Sequence, residues 1–166
     1  MASRVSGGMS QSHSGGRPPK KVKVKFTIEA VDRRTGEVTS YRSKQDGGEP
    51  CDDGKGNLDF KDKSKWDAPV EIDIKIDNQS DCTMALAQEP LWVVAGSCPN
   101  SPGSEPDFEV LSSNGALDLT LLDRNSKQGT YGYALRFQSS ESQTGFFLLD
   151  PVIINGGGGF LQSVDS

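Results

Sequence analysis

The sequence predicts an all-β fold, an antiparallel β-sandwich of about seven to nine strands. Two segments carry this reading. Val22, Val24, Phe26 and Ile28 alternate with Lys21, Lys23, Lys25 and Thr27, and Val70, Ile72, Ile74 and Ile76 alternate with Glu71, Asp73 and Lys75. A period of two sends one face into a core and the other into water. Turn-forming clusters also recur between short apolar runs, and no amphipathic helix longer than two turns can be drawn.

Taken in order, residues 1–19 are rich in Gly and Ser, end in Pro18-Pro19, and are expected to be a disordered basic tail. The sandwich domain is expected over 20–155. Its first strand is the lysine-bearing segment, whose wet face also guards an edge against foreign pairing. Residues 32–37 form a hairpin turn and 38–42 return as a strand. Residues 43–57 read as a long polar loop, 58–60 as a short strand, and 61–66 as a connection. The 70–76 strand ends at the turn cluster Asn78-Gln79-Ser80-Asp81. Residues 82–87 and 91–95 read as two apolar segments separated by Glu89-Pro90. The loop 96–106 holds three prolines. Strands are expected near 108–111 and 117–121, then over 131–137, where Tyr131, Tyr133, Leu135 and Phe137 share one parity. Residues 145–155 are apolar and interrupted by Asp150-Pro151, which belongs on an edge or at a bulge. Residues 156–166 are expected to be a flexible C-terminal tail.

Charge is unevenly spread along the 166 residues. Arg4, Arg17, Lys20, Lys21, Lys23 and Lys25 precede the first acid, Glu29. Of 18 basic residues, 12 remain for the rest of the chain against all 23 acidic ones, a body of −11 within a net charge of −5. An acidic body does not attract nucleic acid, whose phosphates need clustered Lys and Arg. The basic tail and first strand, namely Arg17, Lys20, Lys21, Lys23 and Lys25, are the candidate interaction residues, with a protein partner preferred to nucleic acid. No apolar h-region occurs in the first 25 residues and no stretch is long enough for a membrane helix, so a cytoplasmic setting is expected. Cys51, Cys82 and Cys98 then read as free thiols, with a Cys82–Cys98 bridge as the alternative. The triplet Asn78-Gln79-Ser80 reads as a turn rather than a glycosylation site.

Several chemistries are hard to build from these residues. The only histidine, His13, lies in the expected tail. A Ser-His-Asp triad, a Cys-His pair and a typical catalytic zinc site all need a histidine held in the fold. Cysteine spacings match no metal knuckle. Gly156 to Gly159 lacks the following helix that a phosphate loop uses. No cofactor is expected, and the chain is not expected to be an enzyme.

Three weaker site readings remain. Asp46, Glu49, Asp52, Asp53, Asn57 and Asp59 crowd the 43–57 loop and its exit, and calcium takes several such oxygens. However, Lys55 falls on a ligand position of an EF-hand-like spacing and Leu58 on its glycine. Trp66, Trp92, Tyr41, Tyr131 and Tyr133 could supply a sugar platform, although Tyr131 and Tyr133 share the inward parity. Glu89 and Asp150 could pair as general acid and base if the fold brought them together.

The segments PVEIDIKIDNQ and GTYGYALRF together resemble the strand pattern of cupredoxin-like sandwiches. The copper ligands of that family are two His and a Cys, which the body of this chain does not supply. Glu89-Pro90, Asp150-Pro151 and the closing YGYALRFQ and LLDPVIIN are similar to small uncharacterised bacterial β-sandwich proteins of the DP-EP kind. That resemblance implies a bacterial source and a sandwich, and no particular chemistry, while the architecture expected from the strands is an Ig-like or cupredoxin-like sandwich. The expected function is a non-catalytic binding or assembly module working through protein–protein contacts and self-association. A calcium- or carbohydrate-binding module is the alternative, and a paired-carboxylate hydrolase comes third.

Overall fold

The computed structural model describes residues 18–96, 102–114 and 117–159. His13, Arg17 and Cys98 lie outside them. The described residues form ten strands: β1 (Lys20–Asp32), β2 (Glu37–Gln45), β3 (Leu58–Phe60), β4 (Val70–Asn78), β5 (Ala85–Ala95), β6 (Phe108–Asn114), β7 (Asp118–Asp123), β8 (Gln128–Gln138), β9 (Phe146–Leu149) and β10 (Val152–Gly156). One arm of the sheet runs β2-β1-β4-β7-β6. The other is organised by β8, which pairs with β5 on one flank and with β9 and then β10 on the other, while β3 adds to β10. The arms are joined through a single pair, Glu37 with Leu148.

The all-β expectation holds, but the purely antiparallel arrangement does not. β1 runs parallel to β4 over nine residue pairs, and β10–β3 and β2–β9 are also parallel. A parallel neighbour needs a crossover rather than a tight turn. Residues 46–69 supply it: they leave β2, place β3 in the opposite arm, and return to begin β4 beside β1. Periodicity records which face of a strand is buried and carries no direction, so it could not announce this.

The inward residues meet in one core. Val22, Val24, Phe26, Ile28, Val70, Ile72 and Ile74 from one arm join Tyr133, Leu135, Phe137, Phe147, Leu149 and Ile153 from the other, all at most 2% exposed. An edge-on contact between Phe108 and Tyr131, 5.1 Å between centroids, bridges β6 and β8 across that core. Residues 85–87 and 91–95 of the two apolar segments around Glu89-Pro90 are parts of one strand, β5. Its register slips between Leu86 and Leu91, so Pro90, with no N–H to give, sits in a bulge.

The C-terminal boundary also moves. Gly156 ends β10, and Gly156, Gly157 and Gly158 are buried rather than part of a flexible tail. They thread between two loops at a spacing no side chain tolerates. A Cβ at Gly156 would lie 2.3 Å from the Lys61 carbonyl oxygen, and one at Gly158 would lie 1.9 Å from that of Trp66.

Candidate interaction faces and a buried polar node

The outer faces of the two arms have opposite character. On the β2-β1-β4-β7 arm most outward positions are charged or polar. Lys21 pairs with Glu71 at 3.7 Å and Lys25 with Asp77 at 3.8 Å. Lys20 is turned away to the loop before β4, where it bonds the Lys65 carbonyl, approaches Asp67 and lies 5.8 Å from the Trp66 ring centre. Of the expected interaction lysines, only Lys21, Lys23 and Lys25 therefore share an outward face. Strand register adds two that sequence reading missed. Lys44 lies directly beside Lys25 on β2, and Lys75 directly beside it on β4. Like charges opposed across strands oppose pairing.

The outer face of the β5-β8-β9-β10 arm is largely apolar. Trp92 and Val94 project from β5, Phe146 and Leu148 from β9, and Val152 and Ile154 from β10. All but Phe146 are half-buried, and Phe146 is 38% exposed. Between them β8 offers Gly132 and Ala134, both buried beneath these larger neighbours. The signal for this face was in the sequence. FFLL and VII are apolar at both parities, unlike the strict alternation of β1 and β4, and continuous apolar runs belong to strands covered on both sides.

One charge lies in this face. The Arg136 guanidinium is stacked between Trp92, 4.2 Å from its ring centre, and Phe146, 4.6 Å away. Its Nη1 donates to the Glu89 carbonyl at 2.6 Å and so holds the β5 bulge, while its Nε is buried without a partner. Arginine suits such a place because its flat, weakly hydrated cation stacks on rings.

The other sequence-derived sites are not assembled. Glu89 is on the β5 flank of β8 and Asp150 follows β9 on the opposite flank. Burial and the nearby Glu37 carboxylate raise the Asp150 pKa, so its acidic neighbour is Glu37. Trp66, Tyr131 and Tyr133 are buried, leaving no five-ring platform. The Tyr133 hydroxyl donates to the Gly56 carbonyl at 2.6 Å and pins the 43–57 loop to the core.

The six calcium candidates serve the loop itself. Asp53 accepts from the Lys55 and Asn57 backbones and from the Asn57 amide, and Asp52 accepts from Ser43 and the Gly54 N–H. Asp59 pairs with Lys61 and Glu49 with Lys65, while the Asp46 N–H binds the Lys23 carbonyl. Among the described residues no group of three or more His, Cys, Asp or Glu is placed to hold a metal ion.

Cys51 and Cys82 are free thiols among the described residues, and the alternative Cys82–Cys98 bridge involves a residue outside them. Burial, with the Asp52, Asp59 and Glu49 carboxylates added, pushes the Cys51 pKa up to about 12. Because the thiolate is the nucleophile, Cys51 should alkylate roughly three orders of magnitude more slowly in the native protein than in urea at neutral pH. Mass spectrometry after a short iodoacetamide pulse checks this, and equal labelling in the two states would contradict the burial.

A polar node fills the end of the core below β7 and β10. Asp123 is 0% and Asn155 1% exposed, and the Asn155 amide donates to Asp123 Oδ1 at 2.8 Å. Asn125 donates its N–H to the same oxygen at 2.9 Å and accepts the Gly157 N–H at 3.0 Å. Asp123 Oδ2 and Asn155 Oδ1 are left without donors. Burial raises the Asp123 pKa to about 7 against the pull of its hydrogen bonds, with Asp107 adding to the rise. A carboxyl this deeply enclosed meets no substrate and is a part of the framework.

No protein-family model and no curated protein matches this sequence. Among solved structures, the chain is similar to the inclusion body protein PixA of Burkholderia cenocepacia J2315, with a TM-score of 0.44 and 9% identity over 89% of this chain and 99% of that one. Among the described residues no helix is long and apolar enough to cross a membrane.

Proposed function

We propose that this protein is a non-catalytic, cytoplasmic binding module that self-associates through the outer face of its β5-β8-β9-β10 arm. The observation that carries the reading is an arm apolar on both sides, with Trp92, Val94, Phe146, Leu148, Val152 and Ile154 set on its outer surface. A contiguous apolar face left partly open to water in this way supports an interaction site. A second copy is the simplest occupant, because a two-fold contact needs one self-complementary face and sheets stack well face to face. Catalysis has no evident centre among the described residues: the Asp123 carboxyl is enclosed, and Glu89 and Asp150 are kept apart.

The test is solution mass by light scattering, comparing the full chain with V152K/I154K and with a form lacking residues 1–19. The full chain is expected to exceed the monomer mass. V152K/I154K is expected to be monomeric with an unchanged melting temperature, and tail removal should leave the assembly intact. A monomeric full chain at every concentration would sink self-association, and loss of assembly on tail removal alone would move the contact to the tail.

A further inference from the structure

We infer that the opposite arm carries a second, separate site: a groove that binds a small polyanion bearing two or three phosphate-type groups. Lys44, Lys25 and Lys75 occupy one row across β2, β1 and β4, and Lys23 lies one outward position along β1. These four lysines line a single concavity of about 450 Å³ together with Asp46 and Asp73. Asp46 and Asp73 offset part of the row and leave four lysines against two carboxylates in the groove. Asp73 accepts a hydrogen bond from Thr120 at 3.1 Å, and Lys25 has its own carboxylate, Asp77. Lys23, Lys44 and Lys75 have no ion pair among the described residues, although most other basic side chains of this face do.

Strand spacing sets the ligand. Neighbouring strands lie about 4.8 Å apart, so the three bases in the row start about 5 Å from one another and span about 10 Å. Flexible ammonium groups at that spacing converge on a compact ligand with several oxyanions and bind each as a point charge. A long nucleic-acid strand fits less well. Asp118 closes the row beyond Lys75, and the acidic body around the groove repels an extended polyanion. The like-charge row, which weakens the sheet alone, is relieved when anions sit above it.

Calorimetric titration of the full chain with inorganic tripolyphosphate at low salt tests the inference, with orthophosphate and a DNA duplex as comparisons. Saturable binding at one site is expected, at least about tenfold tighter than orthophosphate, since added charge pairs act together. K44Q/K75Q should weaken tripolyphosphate binding by about tenfold or more, while K63Q, at an exposed lysine outside the groove, should leave it unchanged. No saturable binding, or equal loss in K63Q and K44Q/K75Q, would overturn the site. Tighter binding of the duplex than of tripolyphosphate would overturn the small-ligand reading. None of these outcomes depends on the apolar face, so this site and the proposed self-association stand or fall separately.

Discussion

Gly158→Ala is expected to destabilise the domain by about 3 kcal/mol or more, which is the upper range for forcing extra volume into a packed site. The added carbon would stand 1.9 Å from the Trp66 carbonyl oxygen and 2.9 Å from its carbonyl carbon. Both are backbone atoms, so no side-chain rotation relieves the clash. Trp66 cannot withdraw easily, because its ring is buried against Phe60 at 4.7 Å between centroids. Gly129→Ala is the matched control. Its Cβ would find only the Tyr131 ring, at 3.5 Å, an ordinary contact. That change should be neutral or stabilise by about 0.4–1 kcal/mol through the unfolded chain. Urea unfolding of both variants decides the matter. A Gly158→Ala midpoint equal to that of the parent would mean that residues 156–158 are not docked.

The second large effect is a stability that falls as pH rises from about 4 to about 7. Asp123 has a folded pKa of about 7 against a usual value of 3.8. Between those values the folded state keeps a proton that the unfolded state has released. Stability therefore declines across that window, by on the order of 4 kcal/mol in all, and levels off above it. The proton has a place in the fold. On Oδ2 it sits on the one Asp123 oxygen that accepts no hydrogen bond. The exposed carboxylates Asp32, Asp62 and Glu141 have lowered pKa values and act in the opposite sense, at lower pH, where protonation removes their contribution. D123N, which does not titrate, should remove most of the decline between pH 4 and 7, the raised Asp150 carboxyl supplying the remainder. If the parent protein is as stable at pH 7.5 as at pH 5, Asp123 is ionised in the fold and the node is arranged differently.

The strands were legible wherever one face is wet and the other dry. β1 and β4 follow from their alternation alone, and the inward parity of Tyr131 and Tyr133 is visible in GTYGYALRF. The direction of β4 relative to β1 was not, because a side-chain pattern is the same read either way. Continuity of β5 through Glu89-Pro90 was hidden by a proline that ordinarily interrupts a strand, and only the carbonyl held by Arg136 shows why the chain bulges and resumes. The glycine run at 156–159 has a composition shared by tails and by tight passages, and the backbone of residues 61–66 decides between them. Of the candidate sites, the basic strand could be read directly. Its reinforcement by Lys44 and Lys75 depends on lateral register, which a linear sequence does not display.

The parallel pairing of β1 with β4 has a consequence for how this chain matures. β1 is made early, yet one of its two neighbours begins at residue 70, and β8, on which the other arm is assembled, begins at residue 128. Such distant closures are entropically costly and slow. A nascent chain stalled before β8 can offer the β2-β1-β4-β7-β6 arm alone, with its apolar side still open to water. The fold is thus completed late, once β10 and its glycines have left the ribosome, and until then the lysines of β1 are the chain's own protection against pairing with the wrong strand.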